Sequence, residues 1–421
     1  MLPIREKLTN GEFDPTLKHL YGDAFEAQKV KYAALADAFE GAFGTNDGAA
    51  LFSAPGRSEI GGNHTDHQLG RVLAAAVTMD TRAVAAKRSD NIVRIHSRGY
   101  TPLCVSLDQL APDEAEQNAS EALVRGIAEK FQLGGRKIGG FDAVTASDVP
   151  KGSGLSSSAA FSILVCTIFS ELYNDGQIPP VEQALASKYA ENKHFGKPSG
   201  LMDQLACAVG GFITIDFEQP EQPKIEKVDC DLNALGYAIC IVNCGGNHAD
   251  LTPEYAAVTK EMGEVARFFG KTVLREVNEG DFYASLGQLR KAVSDRAVLR
   301  AMHFFGDNAR VPQQAEALRK QDIETFRQLM NESGRSSFMQ LQNVCPTDVS
   351  ERGLALALAL SERVLGKHGA WRVHGGGFAG TIQALVPLGM VEAYQYEMER
   401  AFGPGCCYRF AVRPVGGAKI G

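Results

Sequence analysis

Residues 150–161 read Pro-Lys-Gly-Ser-Gly-Leu-Ser-Ser-Ser-Ala-Ala-Phe, and no other stretch restricts the fold as strongly. Gly152 and Gly154 stand at alternate positions, where the missing Cβ lets the backbone approach a ligand closely. Ser153, Leu155 and the hydroxyls of Ser156, Ser157 and Ser158 complete the turn. An apolar run (Ala159, Ala160, Phe161, Ile163, Leu164) then begins, so the spacing predicts a glycine-rich turn feeding a helix over 157–173. A helix N-terminus offers unpaired N–H groups and a positive dipole end, which suits phosphate. No Lys-Ser/Thr follows Gly154, so the Walker loop is excluded. Read alone, the stretch is equally a helix with a serine N-cap after a glycine turn.

The 421 residues suffice for two or three domains with full cores. A net charge of −7 argues against a nucleic-acid partner, which calls for a basic face. The polar opening MLPIREKLTNGEFDP lacks the basic start and apolar centre of a secretion signal. Apolar stretches such as 161–169 are too short to span a bilayer, so no membrane association is expected. Nine cysteines form no Cys-x-x-Cys pair, which fits reduced thiols in a cytoplasmic protein.

Helical patterns are expected within 1–45 (including 24–43) and at 121–131, 157–173, 181–192 and 201–209. Strands are expected at 50–53, 72–78, 83–86, 92–97, 141–145, 211–217 and 237–242. The second half reads as mostly helical until strands at 370–373, 381–386 and 408–412. Strands in clusters without regular βαβ alternation indicate an α+β fold. The polar, proline-containing stretch 218–227 is the expected joint between domains at 1–220 and 221–421. Two decoys fall away. Gly270-Lys271-Thr272 follows bulky Phe268 and Phe269 and reads as a helix C-terminus. The run 375–380 fits G-x-G-x-x-G, but a β-like segment follows where a dinucleotide site needs a helix.

Two further blocks carry chemistry. Residues 56–67 read Gly-Arg-Ser-Glu-Ile-Gly-Gly-Asn-His-Thr-Asp-His, expected as a polar loop whose donors and acceptors suit a polyhydroxylated ligand. His64, Asp66 and His67 could alternatively ligate a metal, although the spacing matches no zinc signature. Glu191 closes one predicted helix, and Asp203 opens the next. An acid there is ordinarily a dipole partner or cap, yet beside an arginine it would stay ionised and could accept a hydroxyl proton.

In order from residue 54 to about 386, these blocks resemble the GHMP small-molecule kinases and, within them, the galactokinases. Residues 150–160 are similar to the superfamily ATP loop, Pro-x-Gly-x-Gly-Leu-Ser-Ser-Ser-Ala. Gly56-Arg57 with His64-Thr65-Asp66 is similar to the signature Gly-Arg-Val-Asn-Leu-Ile-Gly-Glu-His-Thr-Asp. Residues 200–204 resemble Gly-Ile-Met-Asp-Gln. Residues 372–380 resemble the third GHMP motif, with His374 and Ala379 where Thr and Gly are usual. Pro253-Glu254-Tyr255 stands where that family has its Glu-Tyr sugar contact.

The resemblance implies an ATP-dependent sugar 1-kinase with a ribosomal-protein-S5-domain-2-like N-terminal domain and a ferredoxin-like C-terminal one. Residues Gly152 to Ser158 would wrap the triphosphate of ATP. Ser158 and Glu191 would hold Mg²⁺, Asp203 would be the base, and Arg57 would lie between it and the transferring phosphoryl group. Asn63, His64, Asp66 and Tyr255 would orient the sugar, with D-galactose the first expectation and a monomer the expected state. Residues 58–61 (Ser-Glu-Ile-Gly) replace Val-Asn-Leu-Ile, and Asn63 replaces the family's glutamate; this last loss of a carboxylate brings galacturonate in as a second substrate. A sugar- and ATP-binding sensor without turnover is the alternative of another class; the complete serine–alanine stretch, Asp203 and Arg57 argue against it. The blocks at 64–66 and 202–204 argue against a kinase for a non-sugar substrate.

Overall fold

The computed structural model describes residues 4–150, 154–246 and 251–421. The larger sheet has eight strands: β1 (Ala50–Gly61), β2 (Arg71–Lys87), β3 (Ile92–Ser97), β4 (Leu103–Ser106), β5 (Phe141–Ser147), β6 (Phe212–Asp216), β7 (Lys224–Val228) and, from the C-terminus, β12 (Ala418–Ile420). Its order is β12-β1-β2-β5-β3-β4, with β6 also on β2 and β7 on β6. All pairs are antiparallel except β3 with β5. A second antiparallel sheet is ordered β11-β8-β10-β9, from β8 (Tyr237–Asn243), β9 (Ala370–Val373), β10 (Thr381–Pro387) and β11 (Cys407–Phe410).

Helices cover both faces of the larger sheet. On one lie α1 (Ile4–Thr9), α2 (Asp14–Tyr21) and α3 (Phe25–Phe43); on the other lie α4 (Ser120–Leu133), α5 (Ser157–Tyr173), α6 (Pro180–Tyr189) and α7 (Met202–Val209). The α5 helix is apolar nearly all round and buried from Ala159 to Ser170, as a central helix must be. Its Phe169 meets Phe141 and Phe131 edge-on at 5.3 and 6.2 Å. Each such ring contributes about 1.5–3 kcal/mol by burial. This fixes the start of α5, and with it the glycine turn, to the sheet.

Three expectations need correction. The two strands expected at 72–78 and 83–86 are one strand, because polar Asp80 and Arg82 are satisfied inside the protein. Asp80 accepts from the Tyr21 hydroxyl at 2.5 Å, and the guanidinium groups of Arg82 and Arg413 lie 3.1 and 3.4 Å away. This cluster also ties the N-terminal helices to the C-terminal tail, giving those helices a structural role. Residues 56–61, expected as a loop, are the end of β1, with register breaks at Pro55/Arg57 and Glu59/Gly61. Their polar side chains bond inward, which a strand permits when partners are built around it. The stretch 218–227, expected as a domain joint, is the β6–β7 hairpin of the larger sheet. The chain passes to the second sheet only after Val228, and β12 returns to the first.

Beyond β8, α8 (Thr252–Phe268), α9 (Glu279–Ala284), α10 (Leu286–Ala292), α11 (Asp295–Arg319) and α12 (Ile323–Ser336) build a helical layer. Then α13 (Gly353–Leu365) and α14 (Val391–Phe402) flank the second sheet. The α8 helix ends just before Gly270, as the bulky flank predicted. The run at 375–380 connects two strands, not a strand to a helix. Among the described residues, no helix is long and apolar enough to cross a membrane.

Candidate active site

Three sequence blocks meet at one carboxylate. Asp203 opens α7, and Arg57 on β1 donates from Nε to Asp203 Oδ1 at 2.8 Å, with Nη2 2.7 Å from the same oxygen. The third guanidinium nitrogen, Nη1, donates to the Gly154 carbonyl. Ser156, the left-handed N-cap of α5, donates its hydroxyl to Asp203 Oδ2. The Arg57 backbone N–H donates to the Leu155 carbonyl at 3.1 Å, stitching strand to turn. Burial pushes the Asp203 carboxyl upward, but the Arg57 charge and the hydrogen bonds from Ser156 and Arg57 outweigh it. The group is held below the ordinary carboxylate value. About four lone-pair positions exist on a carboxylate, and Asp203 keeps one on Oδ2 free of these donors while 33% of its side chain stays exposed.

Glu191 lies beside this centre. It sits in a π-helical segment, Ala190–Phe195, that extends α6; such bulges recur at functional sites. Gln204, next to Asp203, donates to Glu191 Oε2 at 3.1 Å. Glu191 Oε1 is buried with no hydrogen-bond partner among the described residues. Burial raises this carboxyl above its ordinary value, with Ser199 and Lys197 offsetting part of the rise. Ser157 and Ser158 form the first turn of α5, half-buried and exposed respectively, whereas Leu155 is fully buried and packs under the turn. Gly152 and Ser153 lie outside the described residues. Among those described, no three His, Cys, Asp or Glu side chains assemble for a metal. An orphaned carboxylate oxygen beside a serine-lined helix start still fits Mg²⁺, which draws most ligands from phosphates and water.

His64, Asp66 and Tyr255 border the same region. A methyl group placed on Gly200 would stand 3.2 Å from Asp66 Oδ2, so Asp66 closes on the segment leading into Asp203. Burial raises the Asp66 carboxyl, His64 lowers it, and Asp203 raises it further. His64 Nε2 lies 2.9 Å from the Gly376 carbonyl and so carries the proton. His64 Nδ1 is 3.2 Å from His67 Nε2. Burial, with His64 and His303 nearby, holds His67 down to about 3, an uncharged ring. Tyr255 donates to the Gly377 carbonyl at 3.0 Å, and any Cβ at 376 would lie 2.5 Å from its ring. Glycine at 376 thus leaves room for the Tyr255 ring, while the Gly376 and Gly377 carbonyls receive His64 and Tyr255.

Asn63 is placed otherwise than expected. It is 0% exposed, and its side-chain hydrogen-bonding capacity is consumed by protein. Nδ2 donates to Glu59 Oε1 at 3.0 Å and to the Gly375 carbonyl at 2.7 Å. Oδ1 accepts from Asn343 at 2.9 Å and Ser337 at 3.3 Å. Glu59 is itself paired with buried Arg372 at 2.8 Å. Asn63 therefore clamps the end of β1 to the second half of the chain, with nothing left over for a ligand. Sequence reasoning missed Ser156 as a partner of Asp203. The left-handed cap that aims it is a backbone feature that a serine does not announce.

A carboxylate with a spare lone pair, a buried cation and a helix N-terminus are together equipped to deprotonate a hydroxyl and shield an anion in transit. Residues 37–87 match the family model described as the galactokinase galactose-binding signature. Residues 122–211 match that of the GHMP kinases N terminal domain. Among solved structures, the Lactococcus lactis galactokinase complexed with galactose is 24% identical with a TM-score of 0.78, covering 92% of this chain and 100% of its own. The Methanococcus jannaschii mevalonate kinase is 14% identical with a TM-score of 0.61, covering 86% and 98%. A D-glycero-D-manno-heptose 1-phosphate kinase from a Bacteroides species is 15% identical with a TM-score of 0.59, covering 88% and 98%.

Proposed function

We propose, starting from a chain that is a GHMP kinase carrying the galactokinase galactose-binding signature, that it phosphorylates the anomeric hydroxyl of D-galactose with ATP. It is a sugar 1-kinase, a phosphotransferase with an alcohol group as acceptor. The observation that carries the phosphoryl-transfer reading is the cluster of Asp203, Arg57 and Ser156, each from a different sequence block; galactose as the acceptor rests on the signature match at 37–87.

Asp203 takes the anomeric proton on its spare Oδ2 lone pair. The sugar oxygen bonds to the γ-phosphorus while the bond to the bridging oxygen breaks, and ADP leaves. Arg57, fixed on Oδ1, keeps Asp203 ionised and offsets charge on the moving phosphoryl group. Little covalent chemistry is asked of the protein, so most of the rate gain is positioning. Gly152, Ser153, Gly154, Leu155, Ser156, Ser157 and Ser158 cradle the triphosphate at the start of α5. Ser158 and Glu191 would hold Mg²⁺, which would supply positive charge against the phosphates during transfer. His64, Asp66 and Tyr255 orient the sugar. The protein acts as a monomer, and its nine free thiols support a reducing, cytoplasmic setting.

Galacturonate remains the second reading on the sequence departure alone: asparagine stands at 63 where the galactokinase signature has glutamate, although the buried Asn63 side chain itself faces no ligand. A panel of ATP-dependent assays with D-galactose, D-galacturonate, N-acetylgalactosamine and L-arabinose decides. D-Galactose is expected to give the highest kcat/KM. A value for D-galacturonate far above it would replace the substrate, and no turnover with any sugar would leave the sensor reading.

A further inference from the structure

His374 follows β9 and is 2% exposed. Its Nδ1 lies 3.0 Å from Thr381 Oγ1 and its Nε2 3.0 Å from Ser58 Oγ. The Ser58 hydroxyl is itself fixed by Gln383 Nε2, which donates to it at 2.7 Å. The ring is thus held at both nitrogens. Its face bears on Gly154: a Cβ there would come within 2.9 Å of His374 Nδ1. Gly154 has φ +71°, so both its conformation and this contact demand glycine. The carbonyl of that same glycine accepts Arg57 Nη1, and Ser58 is the next residue along β1 from Arg57. His374 therefore touches both anchors of Arg57, its chain neighbour and its backbone acceptor.

We propose that His374 is a positioning residue for phosphoryl transfer: clamped by Ser58 and Thr381, its ring backs Gly154 and fixes the carbonyl that holds Arg57 on Asp203. The role rests on the kinase reading above. Burial, with Arg57 and Arg372 close by, keeps the imidazole well below its ordinary value, so it adds no third cation to the pocket. A misplacement of about 1 Å by a residue away from the chemistry can cost roughly 100-fold in rate.

The test uses His374→Ala, His374→Asn and Ser58→Ala in the full chain. Steady-state kinetics are paired with exchange of the Arg57 Nε–H measured by ¹⁵N NMR, the signal assigned with Arg57→Lys. His374→Ala is expected to lower kcat about 10- to 100-fold, with Kd for ATP and sugar near wild type and Arg57 Nε–H exchange accelerated. His374→Asn, which keeps a polar group near Thr381, should recover most of both losses. Folded His374→Ala with wild-type kcat and wild-type Arg57 exchange would overturn the proposal, as would a kcat loss matching only the unfolded fraction. Should His374→Ala not fold, Ser58→Ala carries the test, with faster Arg57 exchange expected and unchanged exchange overturning it. The exchange measurement needs no substrate. A wild-type protein that phosphorylates no sugar thus defeats the kinase reading while exchange still decides the role of His374.

Discussion

Arg57 and Asn63 lie close together on and just beyond β1, yet their polar clusters have opposite characters. Around Arg57, Asp203 keeps a lone pair free and a third of its side chain (33%) reaches solvent. Around Asn63, both amide hydrogens and both oxygen lone pairs are taken by protein, and the residue is 0% exposed. The first cluster has chemistry left to offer; the second has spent its capacity joining β1 to the second half of the chain. Short polar residues between glycines look alike in sequence. What separates function from architecture here is whether hydrogen-bonding valence remains open.

The contrast yields graded expectations. The largest is for Asp203→Ala, where loss of the base should lower kcat by about 10³-fold or more. ATP affinity, measured by calorimetry, should stay within a few-fold. Near-normal turnover would refute the assignment. Arg57→Met should cost about 10²–10³ in kcat and move the pH profile. In the native protein Asp203 is held down, so activity is full at and above the ordinary carboxylate range and is lost only as pH falls below it. Without Arg57, burial is opposed only by Ser156 and Lys197, the carboxyl rises, and the acid limb of kcat/KM should shift to higher pH. A limb that stays put or moves lower contradicts this electrostatic account.

Asn63→Ala should behave in the opposite way. Stranding Glu59, Asn343 and the Gly375 carbonyl should cost about 2–4 kcal/mol of stability in denaturant melts, while KM for galactose moves little. A large rise in KM at unchanged stability would return Asn63 to the binding site. The smallest effect is expected for Tyr255→Phe. Losing its 3.0 Å bond to Gly377 removes about 1 kcal/mol, seen as a modest rise in KM with kcat preserved.

Much of the candidate site was legible in the sequence because its residues are of types that the proposed chemistry demands. An acid opening a helix, an arginine after a glycine and a glycine-serine turn each carry a local signal. The direction in which residue 63 points carries none. Placing it requires knowing that 56–61 continue as strand and that Ser337, Asn343 and Gly375 arrive from 274, 280 and 312 positions further along the sequence. The merging of two expected strands into β2 has the same origin. Asp80 and Arg82 read as an interruption because their partners, Tyr21 and Arg413, are remote in sequence. The domain joint expected at 218–227 failed because turn residues mark a hairpin as readily as a linker.

The central claim is that Asp203 directs the anomeric hydroxyl onto the γ-phosphorus. Phosphorus NMR of the product formed from ATP and D-galactose tests it most directly. The account predicts a sugar phosphate whose phosphorus couples to the anomeric proton, formed by the native protein and not by Asp203→Ala. A phosphorus coupled to protons at C6, or the same product formed at an undiminished rate without Asp203, would contradict it.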